Sequence, residues 1–341
     1  MAAEAPSRAR RVAPPLRALA SHATAPAARG GAAGTAAARA LDVGNVIALE
    51  HINIEVPDLE AARLFYSEGL GFTIDPDTTG AERSGARGLG VVWYNLNRQQ
   101  LHICRGPEPQ RLPAGGAIGL VVHSVERVAA QLEVVQSLLG EVTVAHLGPG
   151  VLEVRDPWGS AYIVREAGDA TPAALQAGGI SEVLLPCHLG AAVAIGRFYE
   201  RVLGARVDYS AGQASVVVGA GSALVFKEDG SLGQRSDQAV AALHTGWHAA
   251  IYVADFSGVF SRVEALGLID NNHPYRDKCY SIEDALRNKQ FRFKDVLALR
   301  EGGSDDELAK EGLAYVLNHE VRSMHHPRFV RPLYNRQPPR R

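Results

Sequence analysis

No stretch of about 18 apolar residues occurs in this 341-residue chain, so nothing in it reads as a membrane-crossing helix. Cysteine is scarce. Cys104, Cys187 and Cys279 form an odd set without metal-site spacing, which suits reduced thiols in a reducing compartment. An excess of one charge is also missing: the formal net charge is -2, which gives no reason to expect nucleic acid or an acidic membrane as a partner. No glycine-rich nucleotide loop, Walker motif or Ser-His-Asp arrangement is present, so nucleotide-binding and hydrolase readings lack support. Before Asp42 the only acid is Glu4, while Arg8, Arg10, Arg11, Arg17, Arg29 and Arg39 stand among many alanines. This composition predicts a disordered, removable transit peptide over residues 1–42; the alternative is a plain disordered extension.

What the chain does have is internal repetition. Phe65-Tyr66-Ser67-Glu68-Gly69-Leu70-Gly71-Phe72 returns as Phe198-Tyr199-Glu200-Arg201-Val202-Leu203-Gly204-Ala205, each after an apolar strand-like run. The hydrophobic share, 46%, supplies a full core for one large or two moderate domains. Ile47 to Val56 alternates as a strand, and Pro57-Asp58 breaks it and caps a helix with Leu59, Ala62, Phe65 and Tyr66 on one stripe. Phe72–Asp75, Gly90–Leu96 and Gln100–Cys104 then read as three strands, giving a β-α-β-β-β unit. The order repeats from Ile118, with a helix over Val125–Leu139 and an Asp156-Pro157-Trp158-Gly159 turn before the last strand. A third unit starts at Ile180. A fourth starts at Trp247 and carries a long insertion, Asp270 to Gln290, and an acidic segment, Glu301 to Lys310. The expected organisation is an α+β chain of tandem paired units: residues 45–166, a linker at 167–179, residues 180–328 and a solvated basic tail at 329–341.

His51-Ile52-x-Ile54-x-Val56, Phe65-Tyr66-x-x-Gly69-Leu70-Gly71-Phe72, Leu101-His102-Ile103 and Asp156-Pro157-x-Gly159 together resemble the vicinal oxygen chelate superfamily of glyoxalases, bleomycin-resistance proteins and extradiol dioxygenases. The resemblance spans roughly residues 45–328. It implies two half-open β-bowls, each able to hold a divalent metal (Zn, Ni, Fe or Mn), and chemistry on a small oxygenated molecule by a lyase, isomerase or dioxygenase. The ending Asn318-His319-Glu320-Val321-Arg322-Ser323 with Arg331-Pro332-Leu333 looks like a cyanobacterial and plastid glyoxalase-like branch, which implies a chloroplast, with a mitochondrion as the alternative.

Ligands implied by the resemblance are unevenly kept. In residues 45–166 His51 and His102 stand at ligand positions, but Ala117 and Ile163 replace the other two. In residues 180–328 the candidates are Glu182, His248 and Glu320. Aligning Ala314-Tyr315 with Ala161-Tyr162 puts Val316 at the carboxylate position, so Glu320 would need a different strand register; it can equally anchor Arg322. The expected site is therefore the second bowl, 180–328. A non-catalytic small-molecule-binding protein of the bleomycin-resistance type, without metal, stays open, as does a structural protein using its sheet faces.

Overall fold

The computed structural model describes residues 42–77, 90–299 and 310–336. The expected transit peptide up to residue 41, most of the acidic segment and the last five residues of the basic tail lie outside them. The first unit is β1 (Val46–Val56), α1 (Leu59–Arg63), β2 (Thr73–Ile74), β3 (Val91–Leu96) and β4 (Gln99–Arg105). The second is β5 (Ala117–Val122), α2 (Val125–Leu139), β6 (Thr143–Gly148), β7 (Val151–Arg155) and β8 (Ala161–Glu166). The third is β9 (Gly179–Cys187), α3 (Ala191–Phe198), β10 (Val207–Ser210), β11 (Gln213–Val217) and β12 (Ala223–Glu228). After α4 (Asp237–Ala242) the fourth has β13 (His248–Val253), α5 (Phe256–Ala265), α6 (Ile282–Asn288), β14 (Gln290–Leu299) and β15 (Lys310–Ser323).

The repeated sequence builds a repeated irregularity. Both Phe-Tyr helices pass into π-helical turns, Leu64–Gly69 and Tyr199–Leu203. Each is closed by the same long-range bond, Phe72 N–H to the Tyr66 carbonyl and Ala205 N–H to the Tyr199 carbonyl, both 3.0 Å. Gly71 (φ +74°) and Gly204 (φ +65°) take the left-handed conformation that ends each helix, which is why Leu-Gly recurs there. Phe65, Tyr66, Phe198 and Tyr199 are fully buried.

The sheets pair the units differently from the sequence expectation. One sheet has seven strands in the order β14-β15-β13-β1-β4-β3-β2, and the other has eight in the order β10-β11-β12-β9-β5-β8-β7-β6. The first unit therefore shares a sheet with the fourth, and the second with the third. This corrects the division into self-contained domains at 45–166 and 180–328. Consecutive units instead meet through their helical sides: the Tyr66 hydroxyl lies 2.6 Å from that of Tyr162, and the Tyr199 hydroxyl lies 2.6 Å from His319 Nε2. All four units offer a similar apolar first strand, so the repeat defines the unit but does not choose its partner.

The insertion carries a helix of its own, where Ser281 accepts from Asp284 N and caps α6, and β14 then runs on to Leu299. One further expectation changes. The tail from Arg331 to Arg336 is docked rather than solvated. Asn335 exchanges two bonds with the Asn97 backbone at 3.0 and 2.9 Å, Arg336 N donates to Thr73 at 2.8 Å, and Arg331 pairs with Asp77 at 2.6 Å.

Candidate functional site

Alternation sorts the seven-stranded sheet into two chemically different faces. Ile52, Ile54, Leu101, Ile103, Ile251, Val253, Phe291, Phe293, Leu317 and Val321 are buried toward the helices. The intervening positions are polar and also buried: His51, Asn53, Gln100, His102, His248, Arg292, Glu320 and Arg322. Two covers account for the burial. The segment before α6 brings Tyr275 against His248 (ring centroids 5.8 Å apart) and Asp277 onto Arg292 (2.9 Å). The C-terminal strap brings Arg328 over Trp93 at 3.7 Å and Phe329 against Tyr252 at 5.0 Å.

At the centre, His51 from β1, His248 from β13 and Glu320 from β15 converge, with one donor atom from each all within 4.8 Å of one another. His51 Nε2 is 3.3 Å from His248 Nε2, which is 3.4 Å from Glu320 Oε2. Those edges match ligands lying about 2.0–2.2 Å from one ion. The register explains the convergence. Asn53 pairs with His248 and His51 with Ala250 across β1 and β13, while Ala250 lies beside Glu320 in β15. A register shift between Leu49 and His51 lets Glu50 join the same side, where its Oε2 accepts a hydrogen bond from His51 Nδ1–H at 3.2 Å. That contact leaves the Nε2 lone pair directed at the centre.

Electrostatics keep both imidazoles neutral. Burial drives the His51 imidazolium well below its ordinary range and lowers that of His248, which Glu320 only partly offsets. Burial would raise the Glu320 carboxyl, but Arg322 and Arg292 overcome it and hold the group well below the usual carboxylate range. Both arginines touch this carboxylate, and Arg322 also reaches Glu50. The set is thus two neutral nitrogen donors and one ionised oxygen donor, which fits a divalent cation with open positions.

Of the residues singled out in the sequence, His51, His248 and Glu320 come together and two do not. His102 stacks on His51 (centroids 3.8 Å apart, planes at 22°), and its Nε2 bonds Gln100 Oε1 at 2.9 Å. That nitrogen's proton is committed to Gln100, so it has no lone pair for the centre. Glu182 lies in the other sheet, ion-paired to Arg165 at 3.0 Å, and cannot join His248. It does occupy the position equivalent to the histidines, since Ala117 pairs with Leu184 and Gly119 with Glu182. That sheet thus has Ala117, Ile163, Glu182 and Val225 where the first has His51, His102, His248 and Glu320. The placement of Val316 at the carboxylate position is also corrected: β15 sets Asn318 beside His248, so Glu320 two residues on stands where His102 stands in β4.

Glu50, Arg292, Tyr275 and Asp277 were not singled out in the sequence. Arg292 had a legible signal, a charge flanked by Phe291 and Phe293 in an alternating run. Glu50 had none, because a bulge cannot be read from alternation.

Residues 48–162 match the family described as Glyoxalase/Bleomycin resistance protein/Dioxygenase superfamily. No curated protein matches the sequence. Among solved structures, glyoxalase I from Zea mays aligns over 80% of this chain and 92% of its own at 12% identity, with a TM-score of 0.49. The cppA protein from Streptococcus pneumoniae TIGR4 aligns over 83% of this chain and 100% of its own at 12% identity, with a TM-score of 0.42. The family match covers the first two units, so residues 48–162 belong to the Glyoxalase/Bleomycin resistance protein/Dioxygenase superfamily, and the same unit is built twice more by residue 323.

Proposed function

We propose that this protein is a metal-dependent enzyme of the glyoxalase or dioxygenase type acting on a small oxygenated molecule. Its site is the bowl shared by the first and fourth units. The observation that carries the reading is the meeting of two neutral imidazole nitrogens and one ionised carboxylate from three strands. His51, His248 and Glu320 would hold the ion, and Glu50 would keep His51 in the required tautomer. A bound divalent ion there supplies Lewis acidity toward substrate oxygens at its open positions. Arg292 and Arg322 steady Glu320, and the segment carrying Tyr275 and Asp277 excludes water from the bowl. Lyase, isomerase and dioxygenase outcomes share this arrangement. The eight-stranded sheet, with Ala117 and Ile163, would be structural.

Elemental analysis of protein purified without chelator or affinity metal tests the reading. The expected result is about one divalent ion per chain, lost in His248→Ala with the thermal melt nearly intact. The second reading is a metal-free binding protein of the bleomycin-resistance type. It is favoured by one observation, that Arg292 and Arg322 already compensate the Glu320 charge. A metal-free wild-type chain that also fails to take up zinc, nickel, iron or manganese on dialysis would decide for it. The Arg/Ala-rich leader supports delivery to an organelle, the chloroplast first. A reporter fused to residues 1–42 that stays cytosolic in a plant cell would refute this.

A further inference from the structure

The polar face is not fully used by the triad and its arginines. Beneath the strap lies a cleft of about 610 Å³, walled by Ile47, Leu49 and Phe329 and edged by Glu50, Gln100 and Arg328. It adjoins the triad directly through Glu50, which bonds His51, and indirectly through Gln100, which bonds the His102 stacked on His51. The two arginines of the triad are saturated by carboxylates, and Arg331 is held by Asp77. Arg328 differs. Its guanidinium is half-buried, stacked flat on Trp93, and makes no ion pair or side-chain hydrogen bond among the described residues. Trp93 in turn stacks on His102 (4.7 Å, 18°), and His102 on His51 (3.8 Å, 22°), so a column of planar groups runs from Arg328 to the triad. Stacking fixes the plane of the guanidinium while leaving its edge donors free for a planar acceptor.

We propose that this cleft is an anion subsite that takes the carboxylate of a small organic acid, with Arg328 as its anchor. The apolar wall fits the acid's carbon skeleton, and the volume suits a molecule of one ring or a short chain. One free guanidinium beside the Glu50 carboxylate favours a monoanion over a doubly charged phosphate. The inference rests on the metal reading only for which end of the substrate faces the triad. The binding itself needs no ion and is measured without one, so the two can fail separately.

The test titrates phenylacetate, its neutral analogue phenylacetamide and inorganic phosphate into the full-length, metal-depleted protein. Trp93 fluorescence and calorimetry are the readouts. Saturable phenylacetate binding is expected, with no comparable binding of phenylacetamide and weaker binding of phosphate. Arg328→Gln should weaken phenylacetate about tenfold or more, as loss of a charge-assisted fork does. Thr73→Val, which cuts the strap's bond at Arg336 N but lies outside the cleft and leaves the guanidinium, should bind nearly normally. No saturable phenylacetate binding by wild type, equal affinity for phenylacetamide, tighter binding of phosphate, or an unaffected Arg328→Gln would each overturn the assignment. So would an equal loss in Thr73→Val, which would make Arg328 merely part of a docked strap.

Discussion

His51, His248 and Glu320 are chemically useful because their surroundings set their charge states in advance. Burial keeps the histidines neutral, so protons should not compete with a metal at the ordinary imidazole value of 6.5. The affinity for added cobalt or zinc should stay flat as pH falls through 6.5. A decline that begins there would contradict the buried, neutral assignment. Stability has its own sign. Histidines with lowered folded pKa bind fewer protons folded than unfolded, so unfolding free energy falls as pH drops below 6.5 toward the folded values. His319, lowered to about 3 by burial, and His326, lowered to about 4, act in the same direction. Glu320, also lowered, adds its loss only below its unfolded value of 4.5, whereas Glu50, raised by burial, opposes the trend just above that value. Urea midpoints of the metal-depleted protein should therefore decline from about pH 6.5 downward. Arg322 carries more than any one partner, since it joins Glu320 to Glu50 in a buried place. Arg322→Met should cost about 3–5 kcal/mol by leaving both carboxylates under-compensated, and urea unfolding would measure it.

At the level of the element, the repeat was legible because its causes are local. Apolar spacing, an Asp58 cap and a left-handed glycine after Leu70 act within one helix, and the structure has each where the sequence puts it. The strands around His102 and Ala161 were legible for the same reason. What the sequence could not supply was the offset of β15. Ala161-Tyr162 and Ala314-Tyr315 look alike, but the residue in Tyr162's place against the Phe-Tyr helix is His319, which bonds Tyr199 as Tyr162 bonds Tyr66. A four-residue difference in register separates those alternatives, and only cross-strand pairing decides it. The two Phe-Tyr helices should respond alike to truncation. Phe65→Ala and Phe198→Ala each open a hole in a fully buried position and should destabilise by about 3–5 kcal/mol in denaturant unfolding. A cost at one position far below that at the other would show that the copies no longer carry equivalent packing.

Over the whole molecule, the pairing of units decides where a site can exist. Consecutive pairing would leave His51 and His102 in one bowl and His248 and Glu320 in another, each half-equipped. Pairing of the first with the fourth unit collects the triad in one bowl and leaves Ala117, Ile163, Glu182 and Val225 in the other. Sequence periodicity is blind to this choice because every unit's first strand is apolar and suited to either partner. The two arrangements differ in what happens when the chain is cut. A protease site placed between Asp169 and Ala170, in an exposed part of the linker, separates the first two units from the last two. Tandem independent domains would then part on size exclusion. Here β1 pairs with β13 in one sheet and β5 with β9 in the other, so two separate sheets each span the cut. The halves should remain together as one species without denaturant and should keep their metal. After separation in urea, neither half alone should bind the ion, because His51 goes with one piece and His248 and Glu320 with the other. Refolding the two together should restore binding. Halves that elute apart under native conditions, or a C-terminal half that binds metal alone, would rule out the shared bowl.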